Sequence, residues 1–207
     1  MALAHGARPT TRARNLTLAV LPVWFLLALG GSLMGAFDNE PHPPVPLGLG
    51  AVVPVALFVA CYLSSDGFRR FVLSLDVRIL TLAQTSRVVG VVFLVLHQRG
   101  ALPGVFALPA GWGDFAIGIT APVMAWLWKP PFPSRSFVAW SVLGCLDLVL
   151  AVILGALSSA TPVGVLAGDV SPRLMGQFPL SLIPTFFVPL LLIFHLISLA
   201  RVRRGMP

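Results

Sequence analysis

Charge is scarce in this sequence. Asp, Glu, Lys and Arg make up only 10% of its 207 residues. A soluble globular domain carries about 25%. That deficit leaves too little polar surface to cover a water-facing fold, which excludes an ordinary soluble domain. Tyrosine occurs once and cysteine twice. Cys61 and Cys145 lie in separate apolar runs at different depths, so they read as small apolar packing residues, not as a disulfide. Two thiols alone make a poor metal site. The motifs G-x-x-x-x-G-K-[ST], H-E-x-x-H, G-x-S-x-G and C-x-x-C are all missing, so hydrolysis by a metal or serine device has no support. Haem is excluded on depth. His97 and His195 sit on spans at opposite ends, something like 20 Å apart, and axial ligands must reach one iron. No metal or other cofactor is expected.

What the sequence does hold is apolar residues, at 57%, with a mean hydropathy of +0.92. These values imply an all-α, polytopic membrane bundle. The net charge of +7 falls at the ends of apolar runs and forms no Lys/Arg face interleaved with aromatics. It reads as a topology signal, and nucleic acid is excluded as a partner.

The pattern predicts six spans in one domain over residues 16–200, flanked by a basic N-terminus (1–15) and a basic tail (201–207). The spans are Leu16–Phe37, Leu47–Ser64, Val77–His97, Gly111–Trp128, Ser136–Leu157 and Pro179–Ala200. The first run is longer than a secretory h-region, and it predicts an uncleaved span. Ser65–Asp76 is too short to span. Its apolar Phe68, Phe71, Val72 and Leu75 follow one helix face, which predicts a short interfacial helix before the third span. Gln98–Ala110, with Pro103 and Pro109, reads as a loop, and Lys129–Arg135 as a proline-rich turn. With both termini cytoplasmic, inner segments hold 11 basic residues and outer loops 2, so the positive-inside rule sets the orientation. Gly31 and Gly35 form a small-xxx-small motif, suited to close helix packing or a homo-oligomer contact.

Arg87 lies near the middle of the third span. A charge there costs roughly 3 kcal/mol on insertion scales and needs a partner. Counting 1.5 Å per residue places Asp147 at a matching depth and Asp114 one and a half to two turns further out. Gln84, three residues before Arg87, adds a polar stripe on the same face. Gly111, Gly113, Gly118 and Gly144 let another helix or a ligand approach these groups. Two readings of the cluster stand. One is a structural ion pair that fixes helix register. The other is a ligand or proton site, in which Arg87 holds an anionic group and a surplus carboxylate carries a proton. His195, on the sixth span, joins Gln84, Arg87, Asp114 and Asp147 as a candidate substrate-binding or proton-linked residue, and reads either as a packing residue or as an acid–base group near the inner leaflet.

Gln84-Thr-Ser-Arg87-Val-Val-Gly90, then Leu102-Pro-Gly-Val-Phe-Ala-Leu-Pro-Ala-Gly111 and Gly113-Asp114, resemble a group of small bacterial multi-span proteins of unassigned function. Pro184-Thr-Phe-Phe-Val-Pro189 with His195 resembles the closing span of that group. The resemblance implies a bacterial inner-membrane protein and no particular activity. The residues themselves favour binding or transport of a small polar solute, proton-linked through Arg87, Asp114 and Asp147. The alternatives are an accessory subunit of a membrane complex, and a membrane-embedded enzyme acting on a lipid or quinone.

Overall fold

The computed structural model describes residues 11–127 and 135–204. The sequence expectations for residues 1–10, the turn at 128–134 and the end of the tail at 205–207 lie outside the described residues. Seven helices and no strands occur among those described. They are α1 (Thr11–Leu33), α2 (Val45–Ser64), α3 (Asp66–Leu73), α4 (Val77–Gln98), α5 (Gly104–Leu127), α6 (Arg135–Leu157) and α7 (Ile183–Arg203).

Four of them, α2, α4, α6 and α7, are long and apolar enough to cross a membrane. At 1.5 Å per residue, each reaches the roughly 30 Å that a hydrocarbon core requires. Their outward positions are apolar: Val52, Leu57, Ile79, Val89, Leu143 and Leu146 are all exposed. Two expected spans fall outside this set. The apolar part of α1 is the shorter Thr17–Leu33. Helix α5 has the length, but Gly111, Gly113, Asp114 and Gly118 dilute its hydropathy. Those same residues suit it to the middle of the bundle, where it packs against α4 and α6.

Local chemistry explains the short elements. Ser65 caps α3 by accepting from the Phe68 amide at 3.3 Å, and Asp66 and Arg70 complement the helix dipole at its two ends. Phe71 and Val72 of α3 bury against Leu80, Ile193 and Ile197, so this amphipathic helix is docked on α4 and α7. Asp76 caps α4 through the Arg78 amide at 2.7 Å.

Two expectations are corrected, and a third feature is new. Gly104–Ala110 is not loop but the opening of α5, despite Pro103 and Pro109. Proline ahead of a helix start is tolerated. Here Leu102, Phe106 and Ala107 bury against Phe93 and Met175, and that packing carries the helix through Pro109. The Gly31/Gly35 motif is not a helix-face stripe. Gly35 lies past the end of α1 with φ +70°, where a left-handed turn favours glycine, and a Cβ added at Gly31 would stand 3.0 Å from the chain's own Phe37 ring. Finally, α7 opens with a wide π turn over Ile183–Phe187. Pro189 has no N–H to offer the Thr185 carbonyl one turn back, and the Trp24 indole of α1 donates to it instead, at 3.1 Å.

Candidate functional site

Arg87 points into the bundle because α4 tightens around it. Gln84–Gly90 form a 3₁₀ segment inside the helix. Residues three apart eclipse in such a segment, so Gln84, Arg87 and Gly90 line up on one side, and these are its buried residues. Thr81 below and Phe93 above continue the buried line.

Three helices supply acceptors to the guanidinium, which is 3% exposed. From α5, Asp114 Oδ1 accepts from Nε at 2.7 Å. From α6, Asp147 accepts from Nη2, and the Gly144 carbonyl accepts from Nη1 at 3.2 Å. From α7, His195 Nε2 lies 3.4 Å from Nη1. A guanidinium can only donate, so that ring nitrogen is the acceptor and the imidazole is neutral. The Trp140 ring closes over His195 edge-on, with centroids 5.2 Å apart. Surrounded in this way, Arg87 keeps little capacity to hold an additional anion. The carboxylates are less committed. Asp114 Oδ2 and Asp147 Oδ1 accept no hydrogen bond among the described residues.

Close approach of the backbones makes this geometry reachable. A Cβ at Gly113 would run into the Asp147 carboxylate, and one at Gly144 into the His195 ring. A Cβ at Gly90 would strike Asp114, and one at Gly118 would meet the Val88 nitrogen at 2.6 Å. Glycine at these positions lets α4, α5, α6 and α7 converge on one charge cluster.

The sequence-derived residues therefore divide. Arg87, Asp114, Asp147 and His195 meet directly. His195 joins the other three through its ring nitrogen, which faces Arg87. Gln84 sits one 3₁₀ turn away, donating to the Leu191 carbonyl at 3.0 Å, and its buried Oε1 has no partner among the described residues. The Gly144 carbonyl was missed because a backbone acceptor leaves no mark in sequence. Gly90 was missed too, although its spacing of three from Arg87 was visible.

Two cavities meet at Asp114. One, of about 110 Å³, descends from Asp38, Glu40 and Arg173 past Phe106 and Leu148 to the Asp114 carboxylate. The other, of about 160 Å³, is walled by Arg87, Gly90 and Asp114, and its rim includes the exposed Ser86, Val89 and Phe187 of α4 and α7. Phe93, Leu148 and Val188 line both. Apart from the charge cluster and the mouth at Asp38, Glu40 and Arg173, these walls are apolar.

A clasp ties the loops at the mouth. Arg173 donates to both oxygens of Asp38, at 2.8 and 3.2 Å, and Gln177 donates to Asp38 at 3.0 Å. Glu40 accepts from the Ala160 amide at 3.1 Å and from the Ser171 hydroxyl. The hydrogen bond from Arg173 holds the Asp38 carboxyl below its usual 3.8, with Gln177 assisting and partial burial opposing. Asp38 in turn raises Arg173 above its usual value.

Fold and site together define a helical protein built for an apolar surrounding, with a buried arginine held between two aspartates at the end of a cavity. Residues 44–203 match the family described as a domain of unknown function (DUF8737), and the chain belongs to that family. No curated protein matches the chain. No solved structure matches it. The expected membership of a family without assigned function is thus met, and the family brings no activity with it.

Proposed function

We propose that this is a six-span inner-membrane protein of bacteria, with both termini cytoplasmic, that binds or moves a small solute at Asp114 and couples that event to a proton. Helices α1 and α5 are the two additional spans, and α3 lies at the inner interface. The outer cavity then opens on the side of the α1–α2 and α6–α7 loops. The single observation that carries the functional reading is the position of Asp114, the carboxylate on which both cavities converge. Arg87 is the site's fixed counter-charge, since its donors are engaged by Asp114, Asp147, Gly144 and His195. The cavity walls favour a solute that is mostly apolar and polar at one end, in place of the fully polar solute suggested by the sequence.

Proton linkage follows from counting charges. One cation faces two carboxylates. The other titratable groups around it, His195 and Cys145, carry no charge when the imidazole is neutral and the thiol protonated. A proton on one carboxylate neutralises the cluster, and a bound cation does the same. Infrared titration of protein in nanodiscs tests this through the carboxylic-acid C=O stretch. The wild type is expected to show a titrating buried carboxyl, and Asp114→Asn or Asp147→Asn to remove or move it. Two carboxylates that remain ionised throughout the pH range of the folded protein would leave a structural ion pair as the reading.

A further inference from the structure

We propose that the solute is a lipophilic amine, taken as the free base from the bilayer through the window between α4 and α7. This rests on the reading of Asp114 as the proton-linked site and adds to it the substrate class and the route.

Four observations carry it. Asp114 is 9% exposed, lines both cavities, and leaves Oδ2 without a donor among the described residues. Its neighbour Arg87 is engaged by protein acceptors, so the group the site lacks is a donor or a cation, not an anion. The walls that Asp114 shares with the two cavities are Phe93, Leu148, Ile183 and Val188, all apolar. The rim of the second cavity is Ser86, Val89 and Phe187, exposed on a face whose neighbours are apolar. Val89 and Phe187 are 63% and 41% exposed, so this window opens toward lipid beside Arg87, not toward the polar loops.

The binding step balances without any further reactant, and release of the ammonium leaves an Asp114 carboxylate that takes its next proton from water. An ammonium ion is costly in the hydrocarbon core, whereas its free base partitions there. At the site the amine nitrogen takes the proton of the carboxylic acid form of Asp114. The O–H bond breaks, an N–H bond forms, and an ammonium–carboxylate pair results. Before the transfer Arg87 balances Asp147. Afterwards the ammonium balances Asp114, so the total charge of the buried cluster is unchanged. At the far mouth Arg173 pairs with Asp38 and Glu40 adds a second carboxylate, so the sum of these three charges is negative and favours release of the ammonium to water.

Equilibrium and stopped-flow binding to the full chain in phosphatidylcholine nanodiscs tests the proposal with two probes of nearly equal size. N,N-dimethylbenzylamine has a free base, and benzyltrimethylammonium carries a permanent charge. Expected results are binding of the tertiary amine, its loss in Asp114→Asn, no binding of the quaternary ion, and a slower on-rate in Val89→Trp at unchanged infrared signature. Equal binding of both probes with no effect of Val89→Trp overturns lateral access in favour of the outer mouth. If neither probe binds while the carboxyl titration persists, the amine proposal fails and the proton site stands. If the titration is absent as well, both readings fail together.

Discussion

Replacing Arg87 by glutamine removes the one cation from a cluster that holds two carboxylates. The structure defines what is lost. Asp114 and Asp147 lose their charge partner, and Gly144 and His195 lose a donor. The side chains of the two aspartates are 12% and 15% exposed, so water compensates little. Breaking a buried pair by deleting one member costs about 3–5 kcal/mol, most of it from the charge left behind. The Arg87→Gln variant should therefore lose stability on that scale. The same reasoning makes a sharper demand. Adding Asp114→Asn and Asp147→Asn removes the uncompensated charges, and such fully neutral replacements are often near neutral in stability. The triple variant should thus be more stable than the single one. Unfolding in mixed micelles, driven by denaturing detergent and followed by circular dichroism, measures both. An Arg87→Gln protein within about 1 kcal/mol of wild type would refute the reasoning, as would a triple variant no more stable than the single.

Glycine substitutions separate convergence from mere helix content. Gly113→Ala drives a methyl group into the Asp147 carboxylate and should destabilise by about 1–3 kcal/mol, whereas Gly48→Ala, which meets nothing within 4 Å, should be neutral or slightly stabilising in the same unfolding assay. The clasp of Asp38 with Arg173 and Gln177 gives a pH prediction. Because Asp38 titrates below its unfolded value of 3.8, its contribution is fully present above that pH and is lost as pH falls through the lower folded value. A carbon-13 titration of the Asp38 carboxyl should give a midpoint under 3.8 that rises in Arg173→Gln. A wild-type midpoint at or above 3.8 would show that Arg173 does not hold it.

Much of this arrangement was legible one dimension at a time. Depth is encoded by position along an apolar run, so counting residues brought Arg87 level with Asp147 and close to Asp114. Amphipathic spacing at Phe68, Phe71, Val72 and Leu75 revealed α3, because a helix too short to span must still bury its apolar face. Azimuth, the direction in which each helix turns its residues around the bundle, is not encoded in this way. His195 was grouped with the candidate site residues, but its contact with Arg87 depends on which helices are neighbours and could not be read from spacing. The opening of α5 was hidden by Pro103 and Pro109, which local rules assign to loops, whereas burial of Leu102, Phe106 and Ala107 overrides them. The 3₁₀ segment at Gln84–Gly90 carries no proline to announce it. It was visible only as a spacing of three among Thr81, Gln84, Arg87, Gly90 and Phe93, a line that fits a 3₁₀ segment better than a regular α-helix. Cavities are the least legible feature, since they are defined by what side chains fail to fill.

The number of carboxylates bears on what the cluster is for. A buried pair that only fixes register needs one acid and one base, and a neutral pair is the less costly arrangement in a low-dielectric surrounding. Here a second aspartate shares the same guanidinium, and if both are ionised the cluster keeps a net negative charge beside apolar walls. Such a charge is disfavoured there and is relieved by a proton or by a cation from outside. Both cavities are lined by Asp114, which keeps one oxygen without a donor among the described residues, whereas Arg87, which lines one of them, has its donors largely engaged by protein acceptors. An arrangement of this kind gains little as a pin between helices, but it gives one carboxylate two alternative positive partners that exclude each other. Exchange between those two partners is the physical basis on which a bound solute and a proton would be linked.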